Sequence, residues 1–304
     1  MDRRGLLPEG VASPADLARL LAEADYLADV DVATATYLAL ALPRPLFLEG
    51  EAGVGKTSLA RALSQVLDAP LLRLQCYEGI DSSQALYDWD FPRQLLHLRA
   101  AESASRNGVD AAQLEEEVYS RRFLLARPLL AALETSPSVL LIDEVDRADD
   151  EFEAFLLEVL SDYTVTVPEL GTVRAEVPPI VVVTSNRTRE VHDALKRRCL
   201  YHWVEHPTFE REVAIVRRRV PEASAQLVEQ VAAAAQALRG EDLLKPPGVS
   251  ESIDWTMALV ALGAERLDAD TATATLGAVL KYREDVLQAK RLDVSELIGR
   301  SIGG

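Results

Sequence analysis

Hydrophobic positions in this chain follow two periods, and the change from one to the other divides it. Up to about residue 206 the apolar residues fall in short runs: Leu46-Phe-Leu48, Leu71-Leu-Arg-Leu-Gln-Cys76, Val139-Leu-Leu-Ile142, Ile180-Val-Val-Val183 and Cys199-Leu-Tyr-His-Trp-Val204. These runs lack clean in/out alternation, as strands buried on both faces of a parallel sheet do. Between them apolar residues recur at helical spacing, as at Leu59, Leu63, Val66 and Leu67. The pattern predicts an α/β fold, a doubly wound five-stranded parallel sheet. Ser13 as a cap, Pro14 at the first helical position, and Leu17, Leu20 and Leu21 on one face predict a helix over 14–25. A second helix is expected over Thr34 to Leu42, stopped by Pro43 and Pro45. From Pro207 onward the strand pattern disappears. Val213, Ile215, Val216 and Val220, then Leu227, Val231 and Leu238, then Trp255, Leu259 and Leu262, then Leu276, Val279, Leu280 and Val286 keep helical spacing. The expected organisation is an α/β domain over 1–206 followed by a domain of roughly four helices over 207–304, with Pro246-Pro-Gly248 as an internal loop.

Two stretches exceed what a plain strand-helix alternation needs. The connection from Tyr77 to Pro137 is too long for one crossover helix and implies an insert, placed at about 77–122. It contains Tyr87-Asp-Trp-Asp-Phe91 and the acidic run Glu115-Glu-Glu117, with a helix-like segment from Leu124 to Leu133 after it. Such an insert serves either as peripheral packing or as a partner surface. Two β-branched runs around Pro168-Glu-Leu-Gly171 predict a hairpin over about 163–177.

Composition narrows the class further. A chain of 304 residues with 48% hydrophobic content can bury the cores of two domains. It has no apolar run of about eighteen residues, and Met-Asp-Arg-Arg-Gly-Leu-Leu-Pro lacks the apolar centre of a signal peptide, so a cytoplasmic protein without a membrane span is expected. Cys76 and Cys199 lie far apart and read as small buried residues rather than a disulfide. His97, His192, His202 and His206 are scattered without neighbouring cysteines, which argues against a zinc site. A net charge of −17 repels a phosphodiester backbone, and the basic stretch Arg217-Arg-Arg219 reads more simply as a solvated helix end. Nucleic acid is therefore an unlikely partner.

The chemistry is concentrated where the first strand ends. Gly50-Glu-Ala-Gly-Val-Gly-Lys-Thr57 completes the pattern of a nucleotide phosphate loop, with a strand before it and a helix after it, starting at Ser58. Gly50, Glu51, Ala52, Gly53, Val54, Gly55, Lys56, Thr57 and Ser58 form the expected nucleotide-binding set. The glycines let backbone N–H groups close around phosphate oxygens. Lys56 supplies a point charge, and the Thr57 hydroxyl a ligand for magnesium. The apolar run 139–142 delivers Asp143, expected at the metal, and Glu144, expected to polarise the attacking water. Thr184-Ser185-Asn186 ends the fourth strand, and the Asn186 amide can donate to phosphate while accepting from water. Lys196-Arg-Arg-Cys199 precedes the fifth strand; Arg198, in preference to Arg197, is the candidate for a charge supplied to a neighbouring subunit's γ-phosphate.

The series GEAGVGKT at 50–57, LLIDEVDRAD at 140–149, VVVTSN at 181–186 and ALKRRC at 194–199 resembles an AAA+ ATPase, and within that group the MoxR family, in the branch tied to carbon monoxide dehydrogenase maturation. The resemblance covers almost the whole chain. It implies a P-loop NTPase core with a helical lid, ATP and Mg2+ as cofactors, a Walker A loop at 50–57, Asp143 and Glu144 as the Walker B pair, Asn186 as sensor 1, and Arg198 as arginine finger. It further implies a helix-2 insert after Cys76, a pre-sensor hairpin at 163–177, and a hexameric chaperone-like ring. Such a ring would remodel or load cofactor into a client enzyme beside a von Willebrand A domain partner. Gly248-Val-Ser-Glu-Ser252 departs from the family, with serine where the sensor 2 arginine would fall; either Lys281 or Arg283 substitutes, or the lid reads nucleotide differently. Contacts that select the purine are expected near Tyr26 and Leu27. The alternatives are a low-turnover nucleotide switch, disfavoured by the intact Asp143-Glu144 pair, and a DNA-remodelling ring, disfavoured by the acidic balance.

Overall fold

The computed structural model describes residues 7–42, 44–104 and 111–292. Pro43, the two ends of the chain and a short piece of the expected insert lie outside them. Helix α1 spans Pro14–Glu23, with Asp16 N–H donating to the Ser13 hydroxyl. Helix α2, Val30–Ala41, begins four residues before the expected Thr34 because the Asp29 carboxylate caps it at Val32 N–H. There follow β1 (Leu46–Glu49), α3 (Lys56–Val66) and β2 (Leu71–Gln75). The long connection holds α4 (Ser82–Leu86), β3 (Tyr87–Trp89), α5 (Phe91–Ala104), α6 (Ala111–Val118), β4 (Leu124–Ala126) and α7 (Pro128–Glu134). Next come β5 (Val139–Asp143), α8 (Asp150–Asp162), β6 (Thr164–Val167), β7 (Gly171–Arg174), β8 (Ile180–Ser185), α9 (Asp193–Arg198) and β9 (Leu200–Trp203). The C-terminal elements are α10 (Phe209–Arg219), α11 (Ala225–Arg239), α12 (Val249–Ala261), α13 (Ala269–Val279) and α14 (Arg283–Ala289).

Five strands form one parallel sheet in the order β2-β5-β8-β1-β9. Alternate residues of each buried strand feed different cores. Phe47, Leu140, Ile142, Val181 and Val183 pack with α7 and α8 on one face, while Leu46, Leu48, Val139, Leu141, Ile180 and Val182 pack with α1, α2 and α3 on the other. This two-sided burial is why the strand sequences show no alternation of polarity. After β1 the chain crosses to β2 on one side, and from β8 it passes over β1 to β9 on the other. The crevice at the carboxyl ends of β1 and β8 is the switch point at which an α/β sheet of this kind binds ligands.

The connection differs from its expected form in one respect. The segment from Leu124 to Leu133 is not a single helix, since β4 pairs antiparallel with β3, with Tyr87 opposite Ala126 and Trp89 opposite Leu124. Pro128 disfavours helical backbone at Arg127, which is extended, and starts α7 anew as its N1 residue. The hairpin forms as expected, with Val165 opposite Val173. After Phe209 the described residues contain five helices and no strand. Their core gathers Leu227, Val231, Leu238, Trp255, Leu259 and Leu276, with Trp255 Nε1–H donating to Thr275 Oγ1 at 2.7 Å. No described helix is long and apolar enough to cross a membrane.

Candidate functional site

The loop between β1 and α3 is shaped by glycine at the positions where another residue would fail. Gly53 and Gly55 have φ of +81° and +98°, in the left-handed region. A Cβ on Gly50 would stand 2.5 Å from the Val204 carbonyl oxygen. Lys56 opens α3, and its ammonium is buried, donating to the carbonyls of Gly50 at 2.7 Å and Glu51 at 2.6 Å. Burial pushes its pKa down to about 8, against the opposing pull of Asp146, Asp143, Glu144 and Glu51. A desolvated cation whose hydrogen bonds go to neutral carbonyls, beside a glycine-lined hollow, suits an incoming anion.

Opposite the loop, the end of β5 presents its acids. Asp143 is buried and fully engaged: Oδ1 accepts from Thr57 Oγ1 at 2.9 Å and Thr184 Oγ1 at 2.6 Å, and Oδ2 accepts from Arg73 Nε and Nη2 at 3.0 and 2.6 Å. Thr57 and Asp143 therefore set two hard oxygen donors side by side, the kind magnesium takes. Glu144 has left-handed backbone (φ +55°), a conformation costly for a residue with a Cβ and concentrated at functional sites. Its N–H donates to Thr184 Oγ1 at 2.9 Å. Its carboxylate accepts from Gln75 Nε2 at 3.0 Å, Asn186 Nδ2 at 3.3 Å and Arg147 Nη1 at 3.3 Å. Buried Asp146 fixes the loop after β8 by accepting from the N–H groups of Asn186 and Thr188 at 3.1 and 2.8 Å.

The hollow between these groups has a volume of about 170 Å³ and is lined by Gly55, Lys56, Thr57, Asp143, Glu144 and Asn186, with Ala52, Gly53 and Ser58 from the same loop. Gly53, Gly55, Ser58 and Ser250 also border a second cleft of about 290 Å³, which extends to Val54, Tyr26 and Leu27 on one side and to Ile215, Ile253 and Met257 of the C-terminal helices on the other. Burial raises the Tyr26 phenol well above its ordinary pKa, so it stays protonated there. A polar hollow bordering a cleft of mixed lining, where Ile215, Ile253 and Met257 stand beside Asp29, Arg211 and Asp254, suits a triphosphate carrying a base. Gly50 and Glu51 face neither space; the Glu51 carboxylate pairs with His206 Nε2 at 3.0 Å.

The C-terminal helices touch the loop directly. Val249 and Ser250 N–H groups donate to Gly53 O at 3.1 and 3.3 Å. Ser250 lines the hollow beside Lys56, whereas Ser252, which stands where the sensor 2 arginine was expected, is buried and donates to Glu212 Oε1 at 2.6 Å. Lys281 and Arg283 line neither space, and Lys281 Nζ instead caps the Ala278 carbonyl at 2.6 Å. Arg197 and Arg198 are exposed at the end of α9 and are not among the groups around the hollow. Arg197 lies 3.9 Å from Asp193, and among the described residues the Arg198 side chain makes no hydrogen bond or ion pair.

Sequence reasoning missed Arg73, Gln75, Thr184 and Asp146 as members of this site. Arg73 and Gln75 sit two apart on β2, so both point the same way, and β2 lies beside β5 with Gln75 in register with Asp143. Polar residues alternating through the otherwise apolar Leu71–Gln75 were the available signal.

Residues 45–199 match the profile of the AAA domain, dynein-related subfamily. The uncharacterized protein SAB1265c of Staphylococcus aureus (strain bovine RF122 / ET3-1) is 27% identical over 172 residues, 54% of this chain and 57% of its own length. The chain thus spans little more than half the length of that curated relative. Among solved structures, the Thermotoga maritima RuvB Holliday junction branch migration motor has a TM-score of 0.45 at 16% identity, covering 96% of this chain and 78% of its own. A mutant form of that protein has a TM-score of 0.47 at 16% identity, over 96% and 79%. The profile match takes in more than half of the 304 residues, and the chain belongs to the AAA family of ATPase domains, in its dynein-related subfamily.

Proposed function

We propose that this chain binds and hydrolyses ATP with Mg2+ in the cleft between an α/β domain, 1–206, and a helical lid, 207–304. The observation that carries this reading is the convergence of Thr57, Asp143, Glu144 and Asn186 from three different segments around one hollow floored by Lys56, with Thr57 bonded to Asp143 and Asn186 to Glu144. In this reading Gly53, Gly55 and Lys56 bind the phosphates, and Lys56 leaves the Gly50 and Glu51 carbonyls for the β- and γ-phosphate oxygens. Thr57 and Asp143 would hold Mg2+, which would supply positive charge against the bound phosphates. Glu144 orients and polarises the attacking water, and Asn186, already bonded to Glu144, steadies both the carboxylate and the phosphate.

The same reading makes the assembly a ring. The free Arg198, or its neighbour Arg197, reaches a γ-phosphate in the adjacent subunit, since neither lines the chain's own hollow. The finer role is that of a MoxR-type cytoplasmic chaperone that remodels or loads cofactor into a client enzyme with a von Willebrand A domain partner. The family-like motifs of the sequence support it, together with exposed Phe91, Leu95 and Leu96 on α5, the hairpin β6–β7, and a net charge unsuited to nucleic acid.

The test is a pair of substitutions read by nucleotide binding and phosphate release. Lys56→Ala abolishes ATP binding, while Glu144→Gln retains bound ATP without turnover. Wild-type turnover from the Glu144→Gln protein overturns the role given to that carboxylate.

A further inference from the structure

The last residue of β1 is a carboxylate buried where the sheet meets the phosphate loop. Glu49 lies in register between Ser185 of β8 and Trp203 of β9, immediately before Gly50, and its side chain is 4% exposed. A charge in that position is tolerated only when paired. Its partners come from two elements. Lys196 Nζ lies 3.3 and 3.4 Å from the two carboxylate oxygens, and Tyr201 OH donates to Oε2 at 2.8 Å. The ammonium also sits over the rings of Phe47 and Tyr201, 5.7 and 6.0 Å from their centroids, and those rings stack at 6.1 Å. Burial and the bond to Glu49 push the Tyr201 phenol up to about 12, which keeps it a donor.

Lys196 belongs to α9, a helix of six residues that ends in Arg197 and Arg198. Leu195 anchors one side of this turn in the core shared with α8. On the other side, among the described residues, Lys196 is the one side chain of α9 with a hydrogen bond to the sheet. The exposed arginines next to it have no such support. We infer that the ion pair between Glu49 and Lys196, completed by Tyr201, is a positioning device that aims the terminal arginines of α9 by tying that helix to the root of the phosphate loop. The segment it grips is the one Lys56 holds in this structure, through the carbonyls of Gly50 and Glu51. The state of the phosphate site and the aim of α9 thus share one short piece of backbone.

This inference rests on the proposed supply of an arginine from α9 to a neighbouring subunit, and its test separates the two. Lys196→Met, Lys196→Arg, Arg197→Ala and Arg198→Ala are compared, along with Lys196→Met combined with whichever arginine substitution lowers turnover. ATP affinity is read in a Glu144→Gln background, turnover in the otherwise native chain, and folding by thermal melting. Lys196→Met keeps ATP affinity within about twofold and loses about 10²-fold in turnover, the scale of a misplaced reacting group. Lys196→Arg restores most of that loss, and the double variant turns over no more slowly than the arginine variant alone. Should Lys196→Met fold poorly, Tyr201→Phe shows a smaller loss in the same direction with affinity kept. Impaired arginine variants beside a Lys196→Met protein that turns over normally, or losses that multiply in the double variant, overturn the positioning role alone. Loss of ATP affinity equal to the loss of turnover overturns it as well, because the pair then supports only the loop. Normal turnover from both arginine variants overturns the supply in trans, and the positioning role with it.

Discussion

Arg73 grips Asp143 Oδ2 through two nitrogens, Nε at 3.0 Å and Nη2 at 2.6 Å, so a guanidinium from β2 occupies one oxygen of the carboxylate expected at the metal. The pair sets a cation against an incoming cation. Removing it in Arg73→Ala lowers the Mg2+ concentration needed for half-maximal ATP binding by about fivefold, a modest effect of about 1 kcal/mol because the Arg73 side chain is 47% exposed. A Mg2+ titration of fluorescent nucleotide binding reads the midpoint. A midpoint shifted upward would show instead that Arg73 presents Asp143 to the metal.

Gly248 lies so close to the phosphate loop that an added Cβ would stand 2.7 Å from Ala52 O and 2.8 Å from Gly53 Cα. Both are backbone atoms, and backbone does not step aside as a flexible side chain does. Gly248→Ala therefore lifts the start of α12 off the loop and breaks the Val249 and Ser250 bonds to Gly53 O, weakening ATP binding by about 1–3 kcal/mol. Gly263→Ala is the matched control for space, since nothing lies within 4 Å of its Cβ position, although its φ of +74° makes it the more strained substitution in backbone terms. Calorimetric titration with ATP distinguishes them: affinity falls for position 248 and holds for position 263, whose cost appears in the melting temperature.

Asn186 holds Glu144 through its amide, while its own N–H is held by Asp146. The side chain can thus be removed without freeing the loop. Asn186→Ala lowers kcat by about 10²-fold with KM nearly unchanged, because what it loses is orientation of the groups around the attacking water. Steady-state kinetics decides the point, and a rise in KM at constant kcat would assign Asn186 to binding alone.

Arg239 makes a bidentate pair with Glu212, 2.6 Å for each bond, and Ser252 Oγ donates to the same carboxylate at 2.6 Å. The pair joins α10, α11 and α12, with Glu212 fully buried. Arg239→Ala strands that charge and destabilises the protein by about 3–5 kcal/mol. Replacing both partners with apolar residues, Arg239→Met with Glu212→Leu, costs less than the single change. Chemical denaturation of the two variants gives the comparison, and equal losses would show that packing rather than stranded charge sets the cost.

The residues that gather at the candidate site were legible wherever a residue type and its neighbours in sequence suffice. Gly53, Gly55, Lys56 and Thr57 are local to one turn, and Asp143, Glu144 and Asn186 each end a recognisable apolar run. Their partners were less legible because they depend on strand order. Nothing in Leu71–Gln75 says that β2 lies beside β5, and without that neighbour Arg73 and Gln75 are ordinary polar residues of a strand. The misread segment after the insert has a similar cause. Leu124, Leu125, Leu129, Leu130 and Leu133 fit helical spacing, but pairing with Tyr87–Trp89 and the restriction imposed by Pro128 settle the first part as strand.

By itself the sequence determined the class of fold and the glycine-rich loop between its first strand and the helix that follows, because periodicity, glycine placement and proline positions act over a few residues and carry their physics with them. Tertiary structure alone decided that Ser250 lines the hollow beside Lys56 while Lys281 and Arg283 do not, that Arg73 meets Asp143, and that Lys196 seats on Glu49 across 147 positions of sequence. Those are matches between side chains on elements brought together by sheet order and helix packing. Their energies exist only once the chain has closed.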